Sequence, residues 1–375
     1  MVHWKIITAA AVVSALSCFA VAVNAARYVA ASPAQAAVNR GVVELETGRA
    51  SGISVQIAED LANVVDDGAT RRVLPVVGKG GLKNITDLDL LRGVDLAILQ
   101  VDVLNYARQQ NLFPGLEYRV SYIAKLYNEE FHLLARSDIK TVADLANQKV
   151  NVDLRGGGTE VTATRLFGLL NIPIVPTNDD QGVALEKLRR GELAAVAIVT
   201  GKPAPIFRNL IENNLHFLSI PLNPAVTAAY VPARLTVDDY PVLVDANHPV
   251  DTVAVGAVLA VANLQPDSDR YRNVVNFVDA FFTGFQSLLA PGHHPKWSEV
   301  NIAADLPGWR RFPPAANWLQ RNAPVAAAPG QQDLKAIFAR FIDERQQAAG
   351  GTPLTQQQKD DLFSQFERWQ KSLAR

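Results

Sequence analysis

Two short glycine-rich loops carry the residues best suited to binding chemistry in this sequence. Residues 47–52 read Thr-Gly-Arg-Ala-Ser-Gly, residues 154–159 read Leu-Arg-Gly-Gly-Gly-Thr, and each loop follows an apolar, strand-like segment. A helix-like run comes after each loop, so each should lie at a helix N-terminus with unpaired backbone N–H groups. Such an end favours an anion, because its dipole and its free N–H groups point the same way. The two loops together predict a cleft that closes on a small acidic ligand.

The elements around these loops alternate in type from residue 42 to about residue 220, which is typical of an α/β layer architecture. Strands are predicted over residues 72–77, 95–99, 120–124, 131–134, 227–231 and 252–259, and helices over 82–91 and 269–289. Thr141 and Asp144 have the spacing of a capping box. After the first loop, apolar residues from Ile53 to Val65 recur at helical spacing, and Asp60 is placed on the polar side.

The two halves of the chain resemble each other. Residues 91–98, Leu-Arg-Gly-Val-Asp-Leu-Ala-Ile, are similar to residues 189–196, Arg-Arg-Gly-Glu-Leu-Ala-Ala-Val. Together with the paired loops, this favours two related α/β lobes over one long sheet. Lobe 1 is predicted over residues 41–130 and 250–322, with lobe 2, residues 131–249, inserted into it.

The first 25 residues are predicted to be an export signal. Lys5 precedes an uncharged apolar run, and small residues up to Ala25 fit a cleavage site. An uncleaved membrane anchor and a lipoprotein site at Cys18 are the alternatives. Cleavage would remove the only cysteine and leave 35 basic and 37 acidic residues, because Lys5 is the only charged residue removed from the 36 and 37 of the full chain. This near balance gives no indication of nucleic acid binding.

The C-terminal region has the pattern of a separate extension. Residues 323–330 form an Ala/Pro-rich linker, and residues 331–375 contain two apolar stripes at helical spacing, with Thr355 and Gln358 as a second capping box. We expect a helical hairpin that packs on the body, with a dimerising or docking hairpin as the alternative.

Several segments match one known family in content and in order. They are residues 45–52 (Leu-Glu-Thr-Gly-Arg-Ala-Ser-Gly), 93–102 (Gly-Val-Asp-Leu-Ala-Ile-Leu-Gln-Val-Asp), 126–132 (Leu-Tyr-Asn-Glu-Glu-Phe-His) and 142–160, which holds the second loop. In them the chain resembles the TAXI family of extracytoplasmic solute receptors, which serve tripartite (TRAP) transporters. The resemblance covers about residues 41–291. It departs from the family at Arg49-Ala50, at Gly157 where serine is common, and at Lys202 within a Gly-Pro motif.

The resemblance implies a two-lobed type II periplasmic binding protein in the periplasm. Such a receptor captures a small anionic solute, an amino acid or a carboxylate, and presents it to membrane permease subunits; no cofactor is implied. The candidate ligand-binding residues are Thr47, Gly48, Arg49, Ser51, Gly52, Gln100, Tyr127, Gly157, Gly158, Thr159 and Lys202. The alternative roles are turn chemistry for the glycines, a strand-end cap for Gln100, a packed hinge aromatic for Tyr127, and solvated surface charges for Arg49 and Lys202.

Other chemistries find little support. The histidines lack metal-ligand spacing, and Glu129-Glu130 is interpreted as an exposed turn. No nucleophile with its base and no complete dinucleotide or P-loop pattern is present, so no catalytic residue is predicted. Two competing functions remain open: an ABC-type receptor for a heterocyclic precursor, with aromatic side chains in its cleft, and a non-transport sensor that engages a partner.

Overall fold

The structure, a computed structural model, describes residues 40–207, 210, 214–322, 354–355, 357–360 and 362–364. All described residues from Gly41 onward belong to one compact unit. The predicted signal (1–25), the linker (323–330) and most of the predicted hairpin (331–375) lie outside the described residues. The second capping box is confirmed, because the Thr355 backbone N–H donates to Gln358 Oε1 at 2.9 Å and the Gln358 N–H donates to Thr355 Oγ1 at 3.4 Å.

The first half of the described chain builds three parallel strands and their helices. They are β1 (Val42–Thr47), α1 (Ser54–Val65), β2 (Arg72–Val77), α2 (Gly81–Leu90), β3 (Leu96–Gln100), α3 (Val101–Gln109) and α4 (Leu116–Arg119). The predicted strand 72–77 is confirmed, and the predicted helix and strand that follow it are confirmed to within one residue at each end.

A long strand then leads into the second half. The elements are β4 (Ser121–Arg136), β5 (Lys149–Asn151), α5 (Gly158–Leu169), β6 (Val175–Thr177), α6 (Gln181–Arg189), β7 (Ala195–Thr200), β8 (Leu215–Phe217), α7 (Pro224–Ala229), β9 (Val231–Leu235), β10 (Val250–Val261), α8 (Asp269–Leu288) and α9 (Pro313–Asn322). Short 3₁₀ helices cover Val142–Leu145, Pro205–Phe207 and Pro295–Glu299. The first of these begins at the predicted capping box of Thr141 and Asp144, which is confirmed.

The strands form one mixed sheet in the order β2-β1-β3-β10-β4-β7-β5-β6, with β8 on β4 and β9 on β10. The two halves of the chain arrange their strands in the same way. The order is β2-β1-β3-β10-β4 in the first half and β6-β5-β7-β4-β8 in the second. The similar segments 91–98 and 189–196 lead into β3 and β7, the equivalent strands of the two repeats. The antiparallel strands β4 and β10 cross between the halves. The predicted α/β fold class, that of type II periplasmic binding proteins, is confirmed, while the residue boundaries of the two lobes stay a prediction.

Two local predictions are wrong. Residues 121–124 and 131–134 belong to one continuous 16-residue strand instead of two short ones, and Val120 is the C-cap of helix α4. Residues 227–229, predicted as strand, end helix α7, because Asn223 caps the helix by accepting the Val226 N–H at 2.9 Å and Pro224 occupies its first turn. Only Val231 of that predicted segment is in a strand.

The apolar core under β1 contains the phenylalanine-rich helix α8. Phe277, Phe281 and Phe282 are buried against α1 and β1, as their spacing predicts. The polar side predicted for α1 is wrong at Asp60, which is 5% exposed. Its carboxylate accepts the Trp297 Nε1–H and the His294 backbone N–H, both at 2.8 Å.

Asp60 is predicted to be a strong determinant of stability. Asp60→Ala should lower the free energy of unfolding by about 2–4 kcal/mol, because two buried donors lose their acceptor. Urea unfolding measures the change. Glu59→Ala, on the exposed face of the same helix, is the matched control and should change stability by less than about 0.5 kcal/mol. Equal effects of the two substitutions would show that the Asp60 contacts add nothing.

Candidate functional site

A cavity of about 70 Å³ lies where the two halves of the sheet meet, at the carboxyl ends of their strands. The first half contributes residues that follow β1 and β2 and the last residues of β3, and the second half contributes residues that follow β5 and β6 and the last residues of β7, with Glu129 from the crossover strand β4. Ligands of open α/β sheets bind at this edge, because the strand-to-helix loops gather there. The topology therefore places the two glycine-rich loops of the sequence at one site.

Four helices begin at this cavity. The first residues of α1, α2, α5 and α6 or their immediate neighbours line it: Ser54, Gly81, Gly158 and Gln181. The sequence predicted two such helix ends, one per half, and the structure has two per half. Their first-turn N–H groups lack partners within the helix, so the combined dipoles favour negative charge in the cavity.

Direct contacts join the two halves across the cleft. Arg49, in the first loop, pairs with Asp153 (Nη1–Oδ1, 2.8 Å) and with Asp180 (Nη2–Oδ2, 3.1 Å). Ser51 Oγ donates to Gln181 Oε1 at 2.8 Å. These contacts hold the two loops together, and Arg49 does so through carboxylates of the opposite half.

The backbones of the two halves also meet at the cleft. The Leu82 N–H donates to the Gly156 carbonyl at 2.8 Å. A Cβ on Gly81 would lie 2.3 Å from that carbonyl oxygen, and Gly81 has φ of +59°. Both its conformation and this approach require glycine there. Asp153, which forms an ion pair with Arg49, has φ of +69° and is therefore held in a strained backbone conformation.

Gln100 and Glu129 form the floor of the cavity. Gln100 Nε2 donates to Glu129 Oε2 at 2.6 Å, while Gln100 Oε1 is buried and has no hydrogen-bond partner among the described residues. A Cβ on Gly158 would lie 1.6 Å from Gln100 Oε1. Gln100 is thus pressed against the second loop from the opposite half, and its buried Oε1 has no partner there among the described residues.

Burial raises the pKa of two carboxyl groups at the site, Glu129 and Asp153. Burial raises the pKa of Glu129 to about 7, and the negative charges of Asp102 and Glu130 act in the same direction, against the hydrogen bond from Gln100. Burial also raises the pKa of Asp153, and the Arg49 guanidinium partly offsets this. Near neutral pH, Glu129 therefore exchanges a proton readily.

The raised pKa of Glu129 predicts a pH dependence of stability. Between its ordinary pKa of 4.5 and about 7, Glu129 holds a proton in the folded state but not in the unfolded state. The folded state then binds more protons, so the free energy of unfolding falls as pH rises through this window. Over this pH window, the free energy of unfolding of Glu129→Gln should fall by roughly 3 kcal/mol less than that of the wild type.

Urea unfolding of both proteins at about pH 5 and about pH 8 measures the difference. Carboxyls that do not interact with Glu129 contribute equally to wild type and variant, so the comparison isolates Glu129 together with its coupling to Asp102 and Glu130. The same pH dependence in both proteins would contradict the assignment.

The structure brings together seven of the predicted site residues. Those that line the cavity are Gly48, Arg49, Ser51, Gly52, Gln100, Gly158 and Thr159. Of these, Thr159 uses its hydroxyl oxygen to accept the Val199 N–H at 3.0 Å, and Gln100 is a floor residue instead of only a strand-end cap.

Four predicted site residues do not line the cavity. The Thr47 hydroxyl donates to the Gly48 and Val76 carbonyls within its own half. Tyr127 is fully buried in the core, 3.4 Å from Glu129 Oε1. Gly157 is the N-cap of α5, and its N–H donates to the Leu154 carbonyl.

Lys202 is also turned away from the cavity. Its ammonium donates to Asp239 Oδ2 at 2.8 Å and to the Arg234 carbonyl at 2.7 Å. Its charge is therefore paired within the second half, and its backbone N–H donates to Glu130 Oε2 at 2.9 Å.

Sequence reasoning missed several lining residues: Ser54, Lys79, Glu129, Asp153, Gln181 and Thr200. The interpretation of Glu129-Glu130 as an exposed turn is wrong, because both lie in strand β4 and are 8% and 3% exposed. Asp153 stood next to the second loop and Ser54 next to the first. Their position beside the two glycine-rich loops in the sequence could have identified both as lining residues.

His132 is a core histidine. Its Nδ1–H donates to the Glu130 carbonyl at 2.9 Å, and its Nε2 accepts from the Tyr240 hydroxyl at 2.7 Å. Burial lowers its pKa to about 3, so the ring is neutral. Within the described part of the chain, no group of three His, Cys, Asp or Glu residues is placed to hold a metal ion. Among the same residues, no helix has the length and apolarity needed to span a membrane.

The profile of the NMT1-like family matches residues 45–279, more than half of the 375-residue chain. The chain belongs to the NMT1-like family. The matched region of this NMT1-like protein runs from the first loop to within helix α8, and so contains both glycine-rich loops and every residue that lines the cavity.

This NMT1-like protein is also similar to solved structures. A TctC solute binding protein from Polaromonas shares 14% identity over 66% of this chain and 88% of that chain, with a TM-score of 0.37. The alkanesulfonate-binding protein SsuA from Xanthomonas axonopodis pv. citri, bound to MOPS, shares 13% identity over 70% of this chain and 86% of that chain, with a TM-score of 0.43. The GluR0 ligand-binding core from Nostoc punctiforme, in complex with (L)-glutamate, shares 13% identity over 66% of this chain and 96% of that chain, with a TM-score of 0.39. Likeness at this level of identity concerns the fold alone.

Proposed function

We propose that this NMT1-like protein is an extracytoplasmic solute-binding receptor of a TAXI-type TRAP transporter. It captures a small anionic organic solute, an amino acid or a carboxylate, between its two lobes and presents it to a membrane permease. The observation that carries the proposal is the convergence of four helix N-termini, two from each half, on one cavity. The first-turn N–H groups that have no other partner match the oxygen atoms of a carboxylate, whereas the Leu82 N–H of α2 and the Gly182 N–H of α6 already donate to the Gly156 carbonyl and to Asp180.

The mechanism follows from where the contacts lie. A solute that touches the ends of α1 and α2 on one side and of α5 and α6 on the other binds both halves only when they are together. It therefore stabilises the closed state over the open one. Lys79 adds positive charge at the cavity, while the charge of Arg49 is paired with Asp153 and Asp180. The unpartnered Gln100 Oε1 accepts a hydrogen bond from a solute donor such as an amino group.

The cavity lining favours this function over a receptor for a heterocyclic precursor. None of the described residues that line the cavity is aromatic. Recognition of a flat ring usually relies on stacking against such side chains, whereas backbone amides and small hydroxyls suit carboxylates. The export signal predicted over residues 1–25 agrees with an extracytoplasmic receptor, and the motif resemblance supports the TAXI type and the permease as partner.

A thermal-shift screen of the full chain tests the proposal. Amino acids, mono- and dicarboxylates and heterocyclic bases are compared at increasing concentration. A solute that binds only the folded state raises the Tm in step with its concentration, and we expect this response from an acidic solute or an amino acid. A response to heterocyclic bases alone, or to none of the panel, would contradict the proposal.

A further inference from the structure

We propose a second ligand site, for a small organic carboxylate, on the opposite face of the crossover strands from the cleft. It is a separate pocket of about 480 Å³ between Lys125 and Arg165. Its walls are α3, α5, α7 and the loop at residues 305–307, and its floor is formed by β4 and β10. This inference does not depend on the proposed function of the cleft.

The alternation of side chains along β4 separates the two sites. Glu129 points into the cleft cavity, whereas its neighbour Asn128 lines the second pocket. A β-bulge then places Lys125 on the same side as Asn128, because Gly256 pairs with Asn128 but Val258 pairs with Lys125. Three residues of β4 thus oppose two of β10, and such bulges redirect side chains next to functional sites.

Gly256 shapes the floor beneath the Lys125 side chain. A Cβ at Gly256 would lie 3.3 Å from Lys125 Cε and 3.6 Å from Val101 Cγ2. The absence of a side chain at Gly256 lets the lysine stem lie along β10 and keeps the pocket deep. The β-bulge between β4 and β10 and the absence of a side chain at Gly256 together shape the floor of this pocket.

The two cations of the pocket are unpaired within the described chain. Lys125 is half-buried and its ammonium makes no hydrogen bond or ion pair with a described residue, and the Arg165 guanidinium makes only a cation–π contact, 5.8 Å from the ring of Tyr230. Three further buried or half-buried lysines, Lys187, Lys202 and Lys296, are paired with carboxylates. Two unpaired cations facing one pocket are suited to an anion.

The acidic groups at this pocket accept no hydrogen bond from these cations, although the charge of Arg165 is near enough to Asp102 to offset part of the rise that burial causes in the pKa of that carboxyl. Asp102 is already satisfied, because Thr162 Oγ1 donates to it at 2.6 Å and the Val103 N–H donates at 2.9 Å. The side chain of Asp305 is 91% exposed and contacts Arg311 at 3.3 Å. The cationic side of the pocket therefore retains its capacity for an external carboxylate.

Apolar side chains complete the lining and decide the ligand class. Val101, Val231 and Leu306 line the same pocket as the two cations. A bare inorganic anion would leave this apolar surface in contact with water, whereas an organic carboxylate covers it with its body. The amides of Asn105 and Asn128 can orient further oxygen atoms.

Calorimetric titration of the full chain with sodium benzoate tests the proposal, with benzenesulfonate for comparison. The titration is run on the wild-type chain and repeated on Gly158→Val, so that any binding in the cleft is recognised by its loss in that variant, while the second site is present in the wild type whatever the valine does to α5. We expect one saturable site for benzoate. Lys125→Met/Arg165→Met should weaken it by about tenfold or more, and Gly256→Val, which keeps both charges, should weaken it through Lys125 displacement.

The matched control is Arg92→Met/Lys149→Met, which removes the same two charges from exposed positions outside the pocket and should leave benzoate binding unchanged. Single Lys125→Met and Arg165→Met variants keep the test valid if the double variant does not fold. Absence of saturable benzoate binding, or equal binding by the pocket and control variants, would overturn the second site. The proposed function of the cleft would stand in either case, because the thermal-shift screen tests it separately.

Discussion

Gly158→Val is expected to abolish solute binding in the cleft, with a loss of about 100-fold or more in affinity. Position 158 is the first residue of α5, and a Cβ there would lie 1.6 Å from Gln100 Oε1. The valine side chain must either displace the Gln100 amide from Glu129 or hold the two halves apart. In both cases it occupies much of a cavity of about 70 Å³. Calorimetric titration with the solute identified by thermal shift measures the loss.

The matched control for this substitution lies in the same helix. A Cβ at Gly168 would meet no heavy atom within 4 Å, so Gly168→Val changes the helix propensity without filling the cleft. It should bind the solute with the affinity of the wild type. If Gly158→Val also retained that affinity, the solute would bind elsewhere, and the cleft assignment would be wrong.

Lys296→Met is expected to be the most destabilising substitution considered for this protein. Lys296 is 3% exposed, and its ammonium contacts Glu130 Oε1 at 2.6 Å and Glu299 Oε1 at 2.7 Å. Removal of the lysine leaves the Glu130 carboxylate buried without its cation. Loss of one partner of a buried pair costs about 3–5 kcal/mol. Urea unfolding should show a decrease of that size in the free energy of unfolding.

A double variant separates the buried charge from a loss of packing. Lys296→Met/Glu130→Gln removes both charges, and the amide it introduces has nearly the shape of a protonated carboxyl group, so at least half of the lost stability should return. Arg190→Met, which breaks an exposed pair with Glu192, is the control and should leave the free energy of unfolding nearly unchanged. A double variant as unstable as Lys296→Met would contradict the role of the buried charge.

The parts of the site that could be predicted are those encoded locally. Glycine, small hydroxyl residues and the following helical pattern mark a helix N-terminus within about ten residues, so the loops at 47–52 and 154–159 were visible in the sequence. The repeat of residues 91–98 at 189–196 indicated equivalent strands, because it preserves a helix end and the strand after it. The repeat did not predict the order of the strands in the sheet, which is known from the structure.

The parts that could not be predicted depend on pairing between distant segments. Glu129 and Glu130 read as an exposed turn because two carboxylates in sequence are usually solvated. Their burial depends on Gln100 and Lys296, which are 29 and 166 residues away from them. The contacts of Arg49 with the opposite half, and of Lys202 with Asp239, are likewise fixed only by the closed arrangement of the sheet.

Two-sided capture is tested most directly by a crystal structure of the protein with the solute that raises its Tm most. We expect one solute in the cavity, with its carboxylate within hydrogen-bond distance of backbone N–H groups at the start of α1 or α2 and of α5 or α6. A solute that contacted residues of only one half, or that lay outside the cavity, would contradict the two-sided capture that defines the proposed receptor.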